Sequence, residues 1–452
     1  MLNLLKNQNS RFKRVAALID GEHYPQVTND AIKKLKKEFN GDFCGIFFLG
    51  GTEKITTGSF ADFFEDEVFV IKDLYEDFVR ALDKFKPDLV FDLSDKPVVN
   101  SKKRMEIASL CFFKKASYMG PDFFFEFQEK EYKLKTPSIS LIGTGKRIGK
   151  TAISTYIAQE YKKLGLEVIV VAMGRGGPPK PQILKGRDLD ITPEYLLSLS
   201  KQGLHACSDY IEDALMSKIT TIGCRRCGGG FGGKAFLSNV VEGSKIADSF
   251  KPDIIILEGS GSALPDSESH MNICVVGGNQ NWHEIIGYLG IYRIMISDVI
   301  IITMCEKPIA DKRKIEEFCD NIKKINKKAK IFLSVFRPLP LGDLNGKKVV
   351  LGMTAESLIN EKIKKFIENK YNCKIVGTTF NLSNRILLKE DLSNFNEFDL
   401  ILTELKAAAV DVLTSFALEN GKEVVYMNNI PYFKSGKKSF RECLIKIYND
   451  IK

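Results

Sequence analysis

The segment from Gly143 to Thr151 has the residue types and spacing of a loop that binds phosphate groups. Its nine residues are Gly143, Thr144, Gly145, Lys146, Arg147, Ile148, Gly149, Lys150 and Thr151. In such a loop, backbone N–H groups and the first turn of the following helix hold phosphate oxygens. Lys150 is expected to reach the outer phosphates of a nucleotide, and the Thr151 hydroxyl is expected to bind Mg²⁺. The sequence therefore predicts a site for ATP and Mg²⁺, and the lack of an Asn-Lys-x-Asp motif favours ATP over GTP.

One position of this loop departs from the usual G-x-x-x-x-G-K-[ST] pattern, because Thr144 stands where the first glycine is usual. The variant form resembles the loop of dethiobiotin synthetase and of the cobyrinate amidases. Phosphoryl transfer requires charge stabilisation more than a covalent nucleophile. We therefore expect the catalytic cations to be Lys146, Arg147 and Lys150 of this loop, together with Arg175.

An acidic residue at the end of a later strand supports the nucleotide site. The segment from Asp253 to Glu258 is a predicted buried strand, and a glycine-rich turn follows it. A carboxylate at the end of a strand beside a phosphate loop commonly holds Mg²⁺, directly or through water. Glu258 is accordingly the predicted metal partner of Thr151, and a surface acid at a strand end is the alternative.

Two glycine-rich basic loops contain no acidic residue. The first follows a predicted strand and carries Arg175, Lys180 and Arg187, and the second carries Arg225 and Arg226. Glycines let backbone N–H groups approach a ligand, and guanidinium groups bind phosphate oxygens two at a time. These five residues are predicted to bind a second, small and highly anionic substrate. Flexible surface turns are the alternative.

Cys224 and Cys227 form a C-x-x-C pair inside the second basic loop. Two cysteines alone cannot complete a tetrahedral zinc site, and the chain has only 4 histidines. The sequence leaves open a metal site, a redox pair and a pair of packed thiols. A bound metal would favour the alternative functions, a P-loop metallochaperone or an ATP-driven switch protein.

Polar residues also follow the first predicted strand of the chain. The segment from Val15 to Asp20 is a predicted buried strand, and Glu22 and His23 come shortly after it. In α/β sheets, ligands bind beyond the carboxyl ends of the parallel strands. Asp20, Glu22 and His23 are therefore predicted substrate contacts, against the alternative that His23 has only a structural role.

The elements that must position these residues predict an α/β fold of mostly parallel sheets flanked by helices. Strands alternate with amphipathic helices through three successive segments. We expect residues 1–137 to form a substrate-side α/β domain and residues 138–297 the P-loop nucleotide-binding catalytic domain. Residues 298–452 are expected to form an α/β segment that completes the P-loop domain or packs on it. Pro338 and Pro340, followed by Gly342 and Gly346, predict a hinge or linker within this last segment.

Composition excludes several other classes of protein. Of the 452 residues, 44% are hydrophobic, which rules out a disordered chain, and no apolar run reaches the roughly 20 residues that span a bilayer. The net charge is +9, and many of the excess lysines lie between 312 and 330, where Ile315, Phe318 and Ile322 recur at helical spacing. These lysines are expected to form a solvated helix face. The 10 cysteines show no framework pattern, which predicts free thiols and a cytoplasmic location.

Taken together, the motifs resemble those of the cyclic 2,3-diphosphoglycerate synthetase family of methanogenic archaea. Four segments carry the resemblance, namely LIDGEHYP at 18–25, the phosphate loop at 143–151, AMGRGGPP at 172–179 and the basic loop at 223–230. The resemblance extends from Val15 to the predicted strand Val424 to Met427, which is nearly the whole chain. It implies ATP-driven closure of 2,3-bisphosphoglycerate into a cyclic phosphoanhydride, with release of ADP and phosphate.

The implied substrate carries two phosphates and a carboxylate, which the acid-free basic loops could neutralise. Joining two phosphates requires that one of them be activated. Transfer of the γ-phosphoryl group to one substrate phosphate would activate it, and the other phosphate would then attack and expel inorganic phosphate. The expected partners are this anionic substrate and a second copy of the chain in a homodimer, with no nucleic acid and no membrane.

Overall fold

The computed structural model describes residues 12–39, 41–51, 60–189, 192–203, 205–354, 360–434 and 437–452. The chain divides into two compact units. The first contains the chain up to Glu129 together with Asn281–Ile296 and Asp320–Lys328. The second contains Lys130–Gln280, Ser297–Cys319 and Ala329–Lys452. The chain therefore leaves the second unit twice to complete the first.

A six-stranded sheet forms the centre of the first unit. Its strands are β1 (Arg14–Ile19), β2 (Asp42–Phe48), β3 (Val68–Val70), β4 (Leu89–Asp92), β5 (Ser117–Met119) and β6 (Phe124–Phe125). They lie in the order β3-β2-β1-β4-β5-β6, and all neighbours are parallel except β5 and β6. Strands β2 and β3 lie on one side of β1, and β4 to β6 lie on the other. The chain thus changes direction across the sheet at β1 and β4, and the loops that follow these two strands meet at one edge of the sheet.

Three helices and a short 3₁₀ turn accompany this sheet. They are α1 (Pro25–Glu38), the 3₁₀ turn Phe60–Phe63, α2 (Asp77–Phe85) and α3 (Ser101–Phe113). Helix α1 buries Ile32 and Leu35 on one face, as their helical spacing predicts. The core of the unit is built from the apolar residues of β1, β2 and β4 and from this helix face.

A 13-stranded sheet forms the centre of the second unit. Its strands are β8 (Ser138–Gly143), β9 (Val168–Gly174), β10 (Gln182–Lys185), β11 (Thr220–Cys227), β12 (Leu237–Ser238), β13 (Ile254–Glu258), β15 (Met271–Gly277), β16 (Val299–Thr303), β17 (Lys330–Pro340), β18 (Lys348–Gly352), β19 (Lys374–Thr379), β20 (Leu400–Glu404) and β21 (Glu423–Phe433). The order is β10-β11-β9-β13-β8-β15-β16-β17-β21-β20-β18-β19, with β12 paired to β11. The strands β7 (Tyr132–Lys133) and β14 (Ser267–Glu268) form a separate two-stranded sheet.

Helices cover both faces of the large sheet, as the alternation of strands and helices predicts. They are α4 (Lys150–Lys163), α5 (Pro193–Lys201), α6 (Asp209–Ser217), α7 (Val240–Ser249), α11 (Asn360–Tyr371), α12 (Arg385–Ser393), the π-helix Ala409–Thr414, α13 (Ser415–Glu419) and α14 (Lys437–Ile451). Three more helices, α8 (Trp282–Gly287), α9 (Gly290–Met295) and α10 (Lys312–Ile325), lie in or overlap the segments that complete the first unit. Within that unit, Tyr292 of α9 packs edge-to-face on Phe112 of α3, with ring centroids 5.7 Å apart.

The large sheet has two parallel halves that run in opposite directions. One half contains β8, β9, β11, β13, β15 and β16, which are parallel to one another, and the other contains β18 to β21, which are also parallel to one another. Strands β10 and β12 pair antiparallel with β11. Strand β17 joins the halves, because Val299–Ile302 of β16 pair with its first residues in parallel and β21 pairs with the rest of it antiparallel. The fold is therefore α/β with mostly parallel sheets flanked by helices, as the sequence predicts.

The predicted hinge or linker is wrong at Pro338 and Pro340, whereas Gly342 and Gly346 lie in the connection between β17 and β18. Both prolines lie inside β17, opposite Asn429 and Met427 of β21. Strand β16 pairs only with residues 330–333 of β17, so at the prolines β17 pairs with β21 on one side and not with β16 on the other. The loss of two N–H donors is tolerated where a strand is paired on one side. The predicted lysine-rich helix is confirmed as α10, which buries Ile315, Phe318 and Ile322.

Two general expectations can also be compared with the structure. All 10 cysteines are free thiols. Among the described residues, no helix is both long enough and apolar enough to cross a bilayer.

Candidate functional site

The phosphate loop connects β8 to α4, as the sequence predicts. Strand β8 is buried along its whole length, and α4 begins at Lys150. Gly149, directly before it, has a φ of +82°, in the left-handed region that favours glycine. A Cβ at this position would also come within 2.3 Å of the Phe336 ring. Both constraints explain why a glycine precedes the lysine.

Lys150 is buried, and its ammonium group points into the loop. Its Nζ donates a hydrogen bond to the carbonyl oxygen of Gly261 at 2.8 Å. Burial lowers the pKa of Lys150 to about 8, and the nearby carboxyl groups of Glu258 and Asp209 oppose this effect. An adjacent anion favours the charged form of a lysine, so a phosphate bound in the loop would raise this pKa again.

Thr144, the departure from the usual loop pattern, is held by a hydrogen bond. Its hydroxyl donates to Oε1 of Gln280 at 2.6 Å, and the same oxygen accepts from the backbone N–H of Gly277 at 3.0 Å. The threonine therefore ties the phosphate loop to the segment that follows β15.

Thr151 and Glu258 lie side by side at the ends of α4 and β13. The Thr151 hydroxyl donates to Oε1 of Glu258 at 2.8 Å, and the glutamate is buried. Its second oxygen, Oε2, is buried with no hydrogen-bond donor among the described residues. Oxygen ligands of this kind suit a magnesium ion. In the part of the chain that the structure describes, no cluster of three or more His, Cys, Asp or Glu could hold a metal, so water and phosphate would supply the other ligands.

Three acidic residues of α6 lie close to this pair, and the sequence analysis did not identify them. Glu212 and Asp213 are buried and Asp209 is half-buried. The Thr155 hydroxyl of α4 donates to Oδ1 of Asp213 at 3.0 Å. The signal in the sequence was their i, i+3, i+4 spacing, which puts all three on one helix face. An acidic face normally lies in water, so the same signal favours a solvated surface.

The buried carboxyl groups have strongly altered proton affinities. Burial, and then the neighbouring Glu258, raise the pKa of Asp213 well above its ordinary value. Burial raises the pKa of Glu212 to about 7, although Lys406 opposes the shift. The ammonium groups of Lys150 and Lys406 oppose the effect of burial on the pKa of Asp209. Retained protons, neighbouring basic side chains and a bound cation can each offset the negative charge of this cluster.

The second basic segment, predicted as a loop, is strand β11 as far as Cys227 and so carries Arg225 and Arg226 on a strand. Arg175, which follows β9, and Arg226 of β11 bring guanidinium groups to the same place as Lys150. A Cβ on Gly261, whose carbonyl accepts from Lys150, would lie 3.2 Å from Nη2 of Arg175 and 3.4 Å from Nη2 of Arg226. Arg226 is buried and also donates to the Ser260 carbonyl at 2.8 Å. Burial lowers the pKa of Lys146, and repulsion from Arg175 lowers it further. Three separate segments of the chain therefore present cations to one point beside the phosphate loop.

The other predicted basic residues are more dispersed. Arg147 donates to the Ser383 hydroxyl at 2.6 Å, and the backbone N–H of Arg225 donates to Asn239 at 2.7 Å. Lys180 is exposed near the start of β10. Arg187 comes shortly after β10, whose last residue pairs with the first residue of β11. Because β11 runs parallel to β9, this end of the sheet lies opposite the edge that carries the phosphate loop. Its charge depresses the pKa of Lys162 in the last turn of α4, after burial, the larger cause. The structure does not bring Arg187 to the other cations.

In the first unit, the loop after β1 contains the predicted residues Asp20, Glu22 and His23. Asp20 is buried, and its two oxygens accept from the backbone N–H groups of Glu22 at 3.0 Å and Asp95 at 2.5 Å. Nδ1 of His23 lies 3.5 Å from Oδ1 of Asp20. The aspartate thus links the loops after β1 and β4, while His23 remains partly exposed.

A second buried carboxylate lies beside this loop. Asp92, at the end of β4, accepts from Nε of Arg104 at 3.0 Å and from the hydroxyl of Tyr118 at 2.5 Å. The sequence analysis did not identify Arg104 and Tyr118, because they come from a helix and a strand that lie far along the chain. Together the three residues fix the end of β4 against α3 and β5.

The two cysteines of the C-x-x-C pair do not share a face of β11. Cys224 is fully buried and packs against Gly243 of α7, whereas Cys227 is exposed. An odd separation along a strand sends side chains to opposite faces of the sheet. Burial raises the pKa of Cys224 to about 12, so it remains a neutral thiol. The arrangement fits a packed thiol and an exposed one.

Comparison with known families covers the chain almost from end to end. Residues 14–126 match the N-terminal domain of cyclic 2,3-diphosphoglycerate synthetase, residues 138–335 match its P-loop domain, and residues 340–430 match its C-terminal domain.

Individual relatives agree with these matches. The cyclic 2,3-diphosphoglycerate synthetase of Methanothermus fervidus is 46% identical over 93% of this chain and 93% of its own length. Those of Methanothermobacter thermautotrophicus and Thermococcus sibiricus are each 44% identical, over 93% and 96% of this chain and 92% and 98% of their own. Among solved structures, the hydrogenase maturation factor HypB from Archaeoglobus fulgidus aligns with a TM-score of 0.29 and 13% identity, over 44% of this chain and 81% of that chain. A similarity this low carries no argument.

Proposed function

Because the chain belongs to the cyclic 2,3-diphosphoglycerate synthetase family, and is therefore an ATP-dependent synthetase, we propose that it closes 2,3-bisphosphoglycerate into the cyclic phosphoanhydride. In this proposal one ATP is converted to ADP and phosphate for each ring closed. The observation that supports it most strongly is the meeting of Lys150, Arg175 and Arg226 around Gly261. A nucleotide and a substrate with several phosphates both need positive charge at such a point.

The phosphate loop is the proposed binding site for ATP. The backbone N–H groups of the loop and the first turn of α4 would hold the phosphates. Lys150 would exchange its hydrogen bond with the Gly261 carbonyl for one with the transferring phosphoryl group. Lys146 and Arg147 lie on the same loop and would add positive charge as the bond to ADP breaks.

Thr151 and Glu258 are the proposed ligands of Mg²⁺. Oε2 of Glu258 is buried and the carboxyl group of Asp213 lies beside this glutamate, so a cation bound there would replace a proton that the two carboxyl groups share. When bound, the ion would neutralise charge on the phosphates. The Thr151 hydroxyl would turn its oxygen from Glu258 to the ion, and Asp213 would keep the carboxylate of Glu258 in position from the other side.

Arg175 and Arg226 are the proposed contacts of the bisphosphoglycerate, with Arg225 next to Arg226 in β11 and Lys180 between β9 and β10. Arg226 is buried and fixed by the carbonyls of Gly228 and Ser260, so it would present its guanidinium in a defined orientation. Arg187 is left out of this set because it follows the opposite edge of the sheet. In the first unit, Asp20, Glu22 and His23 remain proposed ligand contacts, because they follow β1 at the carboxyl edge of its sheet.

Two phosphoryl steps account for the overall reaction. In the first, an oxygen of one substrate phosphate attacks the γ-phosphorus of ATP, and the bond to ADP breaks. In the second, an oxygen of the other substrate phosphate attacks the activated phosphorus, closes the ring and expels inorganic phosphate. Every atom of ATP then appears in ADP and phosphate. The chain's own contribution is to orient the groups and stabilise their charge.

The proposed function can be tested by following both products. The protein is incubated with ATP, Mg²⁺ and 2,3-bisphosphoglycerate, ADP is measured, and the cyclic product is identified by phosphorus NMR. We expect one cyclic product for each ADP and little ADP when the bisphosphoglycerate is omitted. ADP formation without a cyclic product would refute the proposal, and the Arg187→Ala variant should behave like the parent protein.

The metallochaperone alternative has no supporting observation in the site. Cys224 is buried in the core and Cys227 is exposed, so the pair does not form a common ligand set. Nothing at the phosphate loop favours a switch protein over a synthetase. A homodimer and a small anionic substrate remain the proposed partners, and light scattering in solution would test the first of these.

A further inference from the structure

The C-terminal part of the chain contacts the phosphate loop with one side chain and the acidic helix α6 with another. Ser383, in the loop after β19, accepts a hydrogen bond from Arg147 at 2.6 Å. Lys406, in the loop after β20, pairs with Glu212 of α6, with Nζ 3.4 Å from Oε1. Both loops follow parallel strands of the half-sheet whose direction is reversed by β17 and β21. Because β21 pairs with the part of β17 that extends past β16, the second half-sheet lies beyond the carboxyl ends of the first. Its own parallel strands run the opposite way, so their carboxyl ends are directed back toward the site.

Lys406 has an unusual environment for a lysine. About a third of its side chain is exposed, and Glu212 is almost fully buried. The preceding Glu404 is buried and already bonded, because it accepts from Thr354 at 2.7 Å and from Asn429 at 2.6 Å. Breaking a buried ion pair by removing one partner leaves an uncompensated charge, which is strongly unfavourable.

The acidic face of α6 connects this lysine to Lys150. Asp209 and Glu212 are one helical turn apart, so the two carboxyl groups lie on the same face. Among the charges that lower the pKa of Asp209 against its burial, those of Lys150 and Lys406 are the largest. Asp209 is thus attracted by both lysines. If Lys406 were lost, Lys150 would be the main cation left to neutralise it.

From this arrangement we infer that Lys406 is a positioning residue for the phosphate loop. It pairs with the acidic face of α6 and so leaves the ammonium group of Lys150 available to the phosphates of a nucleotide. This inference rests on the proposed nucleotide site. It gives the C-terminal segment a role in nucleotide binding, separate from any contact with the substrate.

Equilibrium binding of a fluorescent ADP analogue to the full-length chain tests the inference without relying on turnover. Lys406→Met should raise the Kd for the analogue by about tenfold or more, since Asp209 then keeps Lys150 as its main neighbouring cation and competes with the phosphates for it. Lys406→Arg keeps the charge and should stay within about threefold of the parent protein. The matched control is Lys347→Met, which removes an exposed ion pair with Glu423 at the other edge of the same half-sheet.

A double variant separates this role from a general loss of structure. If Lys406 acts through Asp209, then Lys406→Met should change the Kd by less than about threefold when Asp209→Asn is already present. An equal loss of affinity in both backgrounds would overturn the inference, and so would a Lys406→Met variant that binds like Lys347→Met. A parent protein that binds the analogue but forms no cyclic product would refute the proposed function, and the Kd comparison among the Lys406 variants would still test the inference.

Discussion

At the scale of single residues, Lys150 is the side chain on which turnover should depend most. Lys150→Ala is expected to lower ADP formation by about a hundredfold or more, because no other ammonium group is buried at the start of α4. The loss is measured as kcat for ADP formation, with circular dichroism to show that the fold is kept. A folded variant within tenfold of the parent protein would contradict the assignment of the phosphate loop.

Glu258 should control the magnesium requirement. Glu258→Gln keeps the shape of the side chain but removes the charge next to Thr151, so we expect a lower kcat and about tenfold or more Mg²⁺ needed for half-maximal activity. Activity measured across a magnesium titration provides the test. Glu242→Gln, which changes an exposed acid at the start of α7, is the matched control. An unchanged magnesium dependence would move the metal role to another residue.

Arg175 and Arg226 should affect the substrate more than the nucleotide. A charge-assisted contact is worth about 1.5–3 kcal/mol, so Arg175→Ala and Arg226→Ala should each raise KM for the bisphosphoglycerate about tenfold to a hundredfold. Affinity for ADP should change much less, and Arg187→Ala should change neither quantity. Equal losses of ADP affinity would make the two arginines nucleotide contacts.

Local spacing predicted some of these residues and could not predict others. The phosphate loop, Glu258 and the two basic loops each lie next to a strand end in the sequence, so their positions follow from the pattern of elements. Asp209, Asp213 and Lys406 are brought to the site by packing between distant segments. Nothing in an acidic helix face or a single lysine distinguishes a buried position from a solvated one before the neighbours are known.

At the scale of elements, α14 is held by a cluster of aromatic rings. Phe440 is fully buried, stacks on Phe433 of β21 with centroids 4.0 Å apart, and lies 5.0 Å from Phe332 of β17. Phe440→Ala should therefore destabilise the protein by about 3–5 kcal/mol in denaturant unfolding. Phe236→Ala, which changes a ring that is 94% exposed, should stay within about 0.5 kcal/mol of the parent protein. Equal stabilities would show that the cluster contributes little.

Elements with a helical spacing of apolar residues or a continuous apolar stretch were predictable from the sequence, and the pairing between distant elements was not. The alternation of strands and helices gave the α/β class, and the spacing of Ile315, Phe318 and Ile322 gave α10. The prolines of β17 were misread as a linker because proline is rare inside sheets. The prolines are tolerated because β17 pairs with β16 through its first residues and with β21 through the rest, a pattern that only the structure shows.

At the scale of the whole molecule, the first unit is not a module that can be removed. Its α9 packs on α3 through Tyr292 and Phe112, although α9 is encoded after the phosphate loop. A shortened chain that begins near Pro137 would expose these apolar groups. We expect it to be poorly soluble or to lose cooperative unfolding, as measured by soluble yield and thermal denaturation. A shortened chain that unfolds cooperatively and closes the ring at the parent rate would contradict this expectation.

The interleaving of the two units has a consequence for how the chain is made. The first sheet leaves the ribosome early, but the helices that complete its unit lie in Asn281–Ile296 and Asp320–Lys328. At about 5–20 residues per second, the stretch from Glu129 to Ile296 takes on the order of ten to thirty seconds to translate. For that interval the side of α3 that packs on α9 lacks this partner, although earlier contacts such as that of Phe112 with Phe127 can already form. The nascent protein should therefore bind cellular chaperones that recognise exposed apolar segments, and its yield should fall when those chaperones are depleted.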